Sequence, residues 1–225
     1  MALSDIMLDR RQAIGLGFAT AAGLGIAGCS TNDAASTDSM PTDASSQTGA
    51  IDASAFDALL AAGAVADDAS VSASSWAKRI KDAGSFRLGG VQTSTLFAQL
   101  DETDGKLRGF DAGLAQLLVR YILGDESKYD FTQVTSSTRE SVLQNDQVDA
   151  VFATYSITDD RKKAISFAGP YYTSQQGILV AASNSDINSV DDLADKNVAV
   201  QSGSTGPQIV AELAPKAVTQ EFTTD

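Results

Sequence analysis

The chain has 225 residues, a formal net charge of −13 and 43 % apolar residues, enough for one large domain or two small ones around a buried core. Its acidity argues against a nucleic-acid partner, because a phosphate backbone needs a basic face. With no histidine and a single cysteine, Ser-His-Asp and Cys-His catalysis, histidine-ligated zinc and an intrachain disulfide are all excluded.

Residues 1–28 read as an export signal. Arg10-Arg11 form a basic start, and the uncharged run Ala13 to Ala27, rich in Ala, Gly, Leu and Ile, is too short for a membrane span. Ile26-Ala27-Gly28-Cys29 resembles the lipobox of bacterial lipoproteins, which implies cleavage before Cys29 and a lipid on that cysteine. Residues 29–73 read as a flexible acidic tether: from Ser30 to Ser75 there are seven aspartates and no basic residue. Within it, Phe56, Leu59 and Leu60 make a helical apolar pattern, which leaves packing on the body and fraying both open.

The folded body is expected from residue 74. Ser75 is expected to cap a helix over 76–83 that Gly84 stops, and Phe86 to Val91 to form the first strand. Asp104-Gly105 signals a turn. Asp111 is expected to cap a helix whose buried stripe is Leu114, Leu117, Leu118, Tyr121 and Ile122. Tyr129 to Val134 reads as the next strand, followed by Thr135-Ser136-Ser137-Thr138-Arg139. On the residues alone, this loop starts a helix, with Thr138 as cap and Arg139-Glu140 exposed.

The apolar run from Ala150 to Ala153 is long enough for one buried strand. A polar turn follows, and Thr158 is placed to cap a helix that opens with Asp159-Asp160-Arg161. That puts Arg161 near the strand's C-terminal end, where open α/β sheets bind ligands, an arrangement suited to a carboxylate. The alternative is that Arg161-Lys162-Lys163 is a solvated basic face. Gln176 to Ala182 reads as an apolar strand, Val190 to Leu193 as a short helix and Val198 to Val200 as a strand. Gln201 to Pro207 is a Gly-rich loop that opens a helix and presents free N–H groups to an anion. It lacks the lysine of a nucleotide P-loop.

Three segments carry a family resemblance. Ile157-Thr158-Asp159-Asp160-Arg161 followed by Phe167-Ala168-Gly169-Pro170-Tyr171, the Gly109-Phe110-Asp111 segment, and Thr135 to Arg139 resemble the polar-amino-acid-binding family of bacterial ABC-transporter solute-binding proteins. The resemblance implies an α/β, two-lobed periplasmic-binding-protein fold of type II, with lobe 1 over 74–181 and an incomplete lobe 2 over 182–225. It implies that Arg161, with Thr154 and Ser156, holds the α-carboxylate of a free amino acid. By the same resemblance Gly203, Ser204 and Thr205 close over that carboxylate, and Ser136 and Arg139 face an acidic side chain. The expected ligand is glutamate or aspartate, and the expected partners are ABC permease subunits and, through the lipid, the cell membrane on its extracytoplasmic side. No metal or redox cofactor is implied. The acid that binds the ligand's ammonium group is expected beyond residue 225. A dehydratase of cyclic amino acids on the same scaffold, and a sensor or adhesin, are the rival expectations.

Overall fold

Phe86 and Leu88 point to one side of β1 (Phe86–Gly90), and both are fully buried. In the computed structural model, which describes residues 51–223, this strand is the centre of a parallel sheet. β2 (Thr93–Ser94), β3 (Ala98–Leu100) and β4 (Leu107–Arg108) make a small antiparallel meander after it. The chain then runs through α4 (Phe110–Leu123) to β5 (Tyr129–Gln133), and through α5 (Arg139–Gln144) to β6 (Ala150–Phe152). Parallel neighbours need such crossovers. The sheet order is β5-β1-β6, with Leu88 opposite both Phe131 and Ala150. The chain therefore leaves β1 to one side for β5 and crosses to the other side for β6. That reversal opens a crevice at the strands' C-terminal ends.

Three helices precede β1: α1 (Ala53–Ala61), α2 (Asp68–Ser72) and α3 (Ser75–Ala83). The flexible tether expected over 29–73 is thus corrected over its last part. Leu60 and Val71 are buried, Asp57 pairs with Lys106 and Arg108, and Arg120 donates to the Gly63 carbonyl at 2.9 Å. Phe56 lies against Gly113 of α4. The export signal, Cys29 and the first part of the tether lie outside the described residues.

Other expectations shift locally. Ser74, not Ser75, caps α3 by accepting from the Ala77 amide, and Gly84 ends the helix as expected. Asp111 is no cap: Gly109 holds that position, and Asp111 sits in the first turn of α4, fully buried. The buried face of α4 is Ala112, Ala115, Val119 and Ile122, while Tyr121 is exposed. Small side chains let this helix approach the sheet closely; Leu118 and Leu123 pack at the border of the core, while Leu117 turns to Gly63, just past α1. Ala115, Val119 and Ile122 form the main core with Ile80, Phe86 and Leu88, while Ala112 packs with Ala98 and Leu107 of the meander. A fully buried apolar side chain of this size contributes about 1.5–3 kcal/mol.

Beyond β6, α6 (Asp159–Ala164) is capped by Thr158, which accepts from the Arg161 amide. Residues 165–184 carry no helix or strand. The strand expected at Gln176 to Ala182 is therefore absent: among the described residues no strand lies beside it to complete its hydrogen bonds, and Leu179 is 99 % exposed. A short 3-10 turn at Val190–Leu193 leads to β7 (Asn197–Gln201), α7 (Gly206–Leu213) and β8 (Val218–Phe222). β7 and β8 pair in parallel as a second, small sheet.

Candidate functional site

The loops after β5 and β6 lie side by side at the C-terminal edge of the first sheet, and the loop after β7 sits against them. Thr154 and Ser156 are exposed on the β6 loop, and Thr154 has a left-handed backbone (φ 46°). Arg161 leans back over this loop from α6. Its Nη1 donates to the Ser156 carbonyl at 2.9 Å, and its Nη2 to the Gly203 carbonyl at 2.9 Å. Its hydrogen bonds thus go to neutral acceptors, which are weaker partners than a carboxylate; the Glu140 carboxylate stands at 3.7 Å, beyond hydrogen-bond distance.

Arg139 opens α5, and contrary to the exposed position expected from the residues alone it is 4 % exposed. Its Nη1 donates to the Ala153 carbonyl at 3.0 Å, and its Nε is buried without a hydrogen-bond partner. Burial, with the charge of Arg161 adding to it, pulls the guanidinium down to about 10, so it stays charged at neutral pH. Thr138 does not cap α5 with its side chain; its hydroxyl accepts from the Thr135 amide instead.

Tyr155 joins the two arginines. The guanidinium carbon of Arg139 lies 3.8 Å from the centre of its ring, and that of Arg161 4.4 Å. Such cation–π contacts are worth about 0.5–2 kcal/mol each. The Tyr155 hydroxyl donates to Glu140, whose carboxylate also lies 3.7 Å from Arg161 Nε. Burial, and then that hydrogen bond, push the phenol up to about 12. Two positive charges are therefore gathered around one ring, with one carboxylate in loose reach. That is an anion-seeking arrangement.

The β7 loop meets this edge directly. Ser136 Oγ donates to Gln201 Oε1 at 2.7 Å, and Ser137 Oγ to the Ser202 carbonyl at 3.1 Å. Gly203 (φ 76°) comes so close that a Cβ would lie 2.8 Å from Ser137 Oγ and 2.9 Å from the Ser136 carbonyl. Ser204 turns away: its hydroxyl donates to the Gln201 carbonyl and accepts from the Gly206 amide. Thr205 lines a cavity of about 320 Å³ with Ser156, Gln175, Gln176, Gln208 and Glu212. Neither arginine lines that cavity. The structure therefore gathers Ser136, Arg139, Thr154, Ser156, Arg161 and Gly203 at one edge, with Thr205 at the adjoining cavity and Ser204 engaged in its own loop.

Four residues join the site that the sequence did not assign to it: Tyr155, Glu140, Gln201 and Asp111, the last expected only as a helix cap. Tyr155 lies between two residues that were singled out, so proximity could have flagged it. Asp111 could not be found that way, because its partner, the Thr154 amide at 2.7 Å, is 43 residues away.

Comparison with known proteins supports the architecture. The chain is 43 % identical over 136 residues to the ABC transporter glutamine-binding protein GlnH of Bacillus subtilis, covering 59 % of this chain and 49 % of that protein. It is 32 % identical over 145 residues to the glutamate-binding protein GluB of Corynebacterium efficiens, covering 60 % and 49 %. Among solved structures, the ancestral amino acid-binding protein AncCDT-1, a precursor of cyclohexadienyl dehydratase, superposes with a TM-score of 0.62 at 35 % identity, covering 67 % of this chain and 66 % of that one. The chain spans about half the length of the curated relatives it matches. The expected α/β, two-lobed periplasmic-binding fold of type II is thus the fold of this chain, and its second lobe is represented among the described residues by β7, α7 and β8. A match to one family runs from residue 87 to 221, from the central strand through the β7 loop to β8. Carrying that family's pattern through all three sheets and every loop of the candidate site, the chain belongs to the bacterial extracellular solute-binding proteins, family 3.

Proposed function

We propose that this chain is the ligand-capturing part of an extracytoplasmic receptor, lipid-anchored through Cys29, that binds glutamate or aspartate and delivers it to ABC permease subunits. The observation that carries the reading is the pair of arginines at Tyr155. Arg161 gives up the carbonyls of Ser156 and Gly203 for the ligand's α-carboxylate, exchanging neutral acceptors for a charged one. Thr154 and Ser156 on the β6 loop, and Gly203, Ser204 and Thr205 on the β7 loop, flank that carboxylate. Arg139 and Ser136 then face the side-chain carboxylate. A guanidinium fork matches a planar carboxylate where a lysine would not. The relatives named for glutamine and for glutamate make the side chain the open choice, and the second arginine favours the acid.

A thermal-shift screen of free amino acids on the purified protein tests this, since only a ligand of the native state raises the melting temperature. Glutamate or aspartate is expected to give the largest rise. A rise with glutamine equal to or larger than both would overturn the acidic assignment.

A further inference from the structure

Two bonds described above end on one peptide group. The carbonyl of Ala153 accepts from Arg139 Nη1 at 3.0 Å, and the amide of Thr154, the other half of the same planar unit, donates to Asp111 Oδ2 at 2.7 Å. In a trans peptide the C=O and N–H point in opposite directions, so a cation and an anion grip the unit from its two sides. Asp111 is fully buried and Arg139 is 4 % exposed. Neither makes a salt bridge with any described residue, and Asp111 Oδ1 and Arg139 Nε are both buried without hydrogen-bond partners. Two opposite charges without an ion-pair partner among the described residues therefore meet on this peptide, with the Tyr171 hydroxyl beside Asp111 and the Tyr155 ring beside Arg139.

We propose that Asp111 is a positioning residue of the binding edge: it is the counter-charge of Arg139, acting through the 153–154 peptide, and it holds Thr154 in its left-handed conformation. A charge-assisted bond at each end polarises the peptide so that each strengthens the other. The clamp fixes the turn on which Thr154, Tyr155 and Ser156 are presented, and it fixes the direction of the Arg139 fork. It also gives the Gly109-Phe110-Asp111 segment its part in the site, since Gly109 and the first turn of α4 set the carboxylate beneath the β6 loop. The clamp stands on the geometry; its value for ligand selection rests on the function proposed above.

The test is an NMR titration of the ligand-free protein followed at the Thr154 amide. Besides Thr154, Asp111 faces the Tyr171 hydroxyl; Arg139 faces Tyr155, Arg161 and Glu140. In the wild type the Thr154 amide and the Arg139 Nε–H resonances are expected to move with one common midpoint as Asp111 titrates. In Arg139→Gln that midpoint is expected to rise by half a pH unit or more, and in Arg139→Lys to return most of the way. An unchanged midpoint in folded Arg139→Gln would overturn the clamp, and so would different midpoints for the two resonances in the wild type, a measurement that needs no variant to fold. No amino acid is added, so failure here is distinct from failure of the ligand assignment, which the thermal-shift screen reads.

Discussion

Arg139 and Arg161 differ in what they hold before any ligand arrives. Arg161 rests on two carbonyls from exposed loops, whereas Arg139 is locked to a backbone carbonyl under the sheet edge. Under the proposed function, Arg161→Ala removes the partner of the group common to all amino acids. It is expected to cost about 3–5 kcal/mol, roughly 100- to 5,000-fold in affinity, for acidic and neutral ligands alike. Arg139→Lys keeps a charge and a donor for Ala153 but loses the fork, so glutamate is expected to lose at least about tenfold and glutamine far less. Calorimetry with both ligands checks this, and equal losses would remove Arg139 from side-chain recognition. At this scale the sequence was readable where cause and effect are close together. Thr158 caps three residues from Arg161, and both could be placed from a few adjacent letters. The burial of Arg139 was not readable, because it depends on Ala153 and Tyr155, which β6 brings up from 14 and 16 residues away.

Among the elements, the junction between the meander and α4 leaves no room for a side chain at Gly109. Gly109 has φ 133°, and a Cβ there would lie 2.3 Å from the Phe97 carbonyl oxygen. Gly109→Ala combines a backbone conformation that costs about 1–3 kcal/mol with a clash against main chain that has no room to yield. Its unfolding free energy, read by denaturant titration, is expected to fall by at least about 2 kcal/mol; a change below about 0.5 kcal/mol would mean that Phe97 moves away freely. The three strands of the first sheet were legible from their apolar runs because each buries a face locally. The expected strand at Gln176 to Ala182 has the same kind of run but, among the described residues, no paired neighbour. A strand is a relation between two segments, and no run of letters carries that alone. The stripe of α4 was placed in part: Ile122 is buried and Leu118 borders the core, but Tyr121 is exposed and the sheet admits the small Ala115.

For the molecule as a whole, several carboxylates sit on arginines and lysines and are held below their ordinary value. Asp104 drops to about 2, chiefly through its hydrogen bond from Arg108. Asp57 is lowered chiefly by Lys106, and at Asp149 burial pushes upward but the hydrogen bonds from Arg87 and Arg79 outweigh it. A carboxylate lowered by folding contributes stability that is fully present above its unfolded value, near 3.8, and is lost as pH falls through its folded value. Asp111, raised by burial, runs the other way, losing its contribution as pH rises from the same point. With more groups lowered than raised, the urea midpoint is expected to hold between pH 7 and 5 and to decline below about pH 4. A midpoint that rises on acidification to pH 3 would show that Asp111 outweighs the ion pairs.

The same ion pairs decide how the molecule answers a mechanical pull. Force applied to the chain ahead of residue 53 enters through α1 and passes to α4 and the meander by way of Asp57, Phe56 and the Gly63 carbonyl. None of these grips touches the loops after β5, β6 or β7. The load is therefore taken up along α4, at Gly113 near its first turn and at Arg120 near its last, and across the Arg108 cluster. Tension on the N-terminal side is therefore expected to reach Arg139, Tyr155 and Arg161 only by way of α4 or the meander, and a detachment of α1 would spare their spacing.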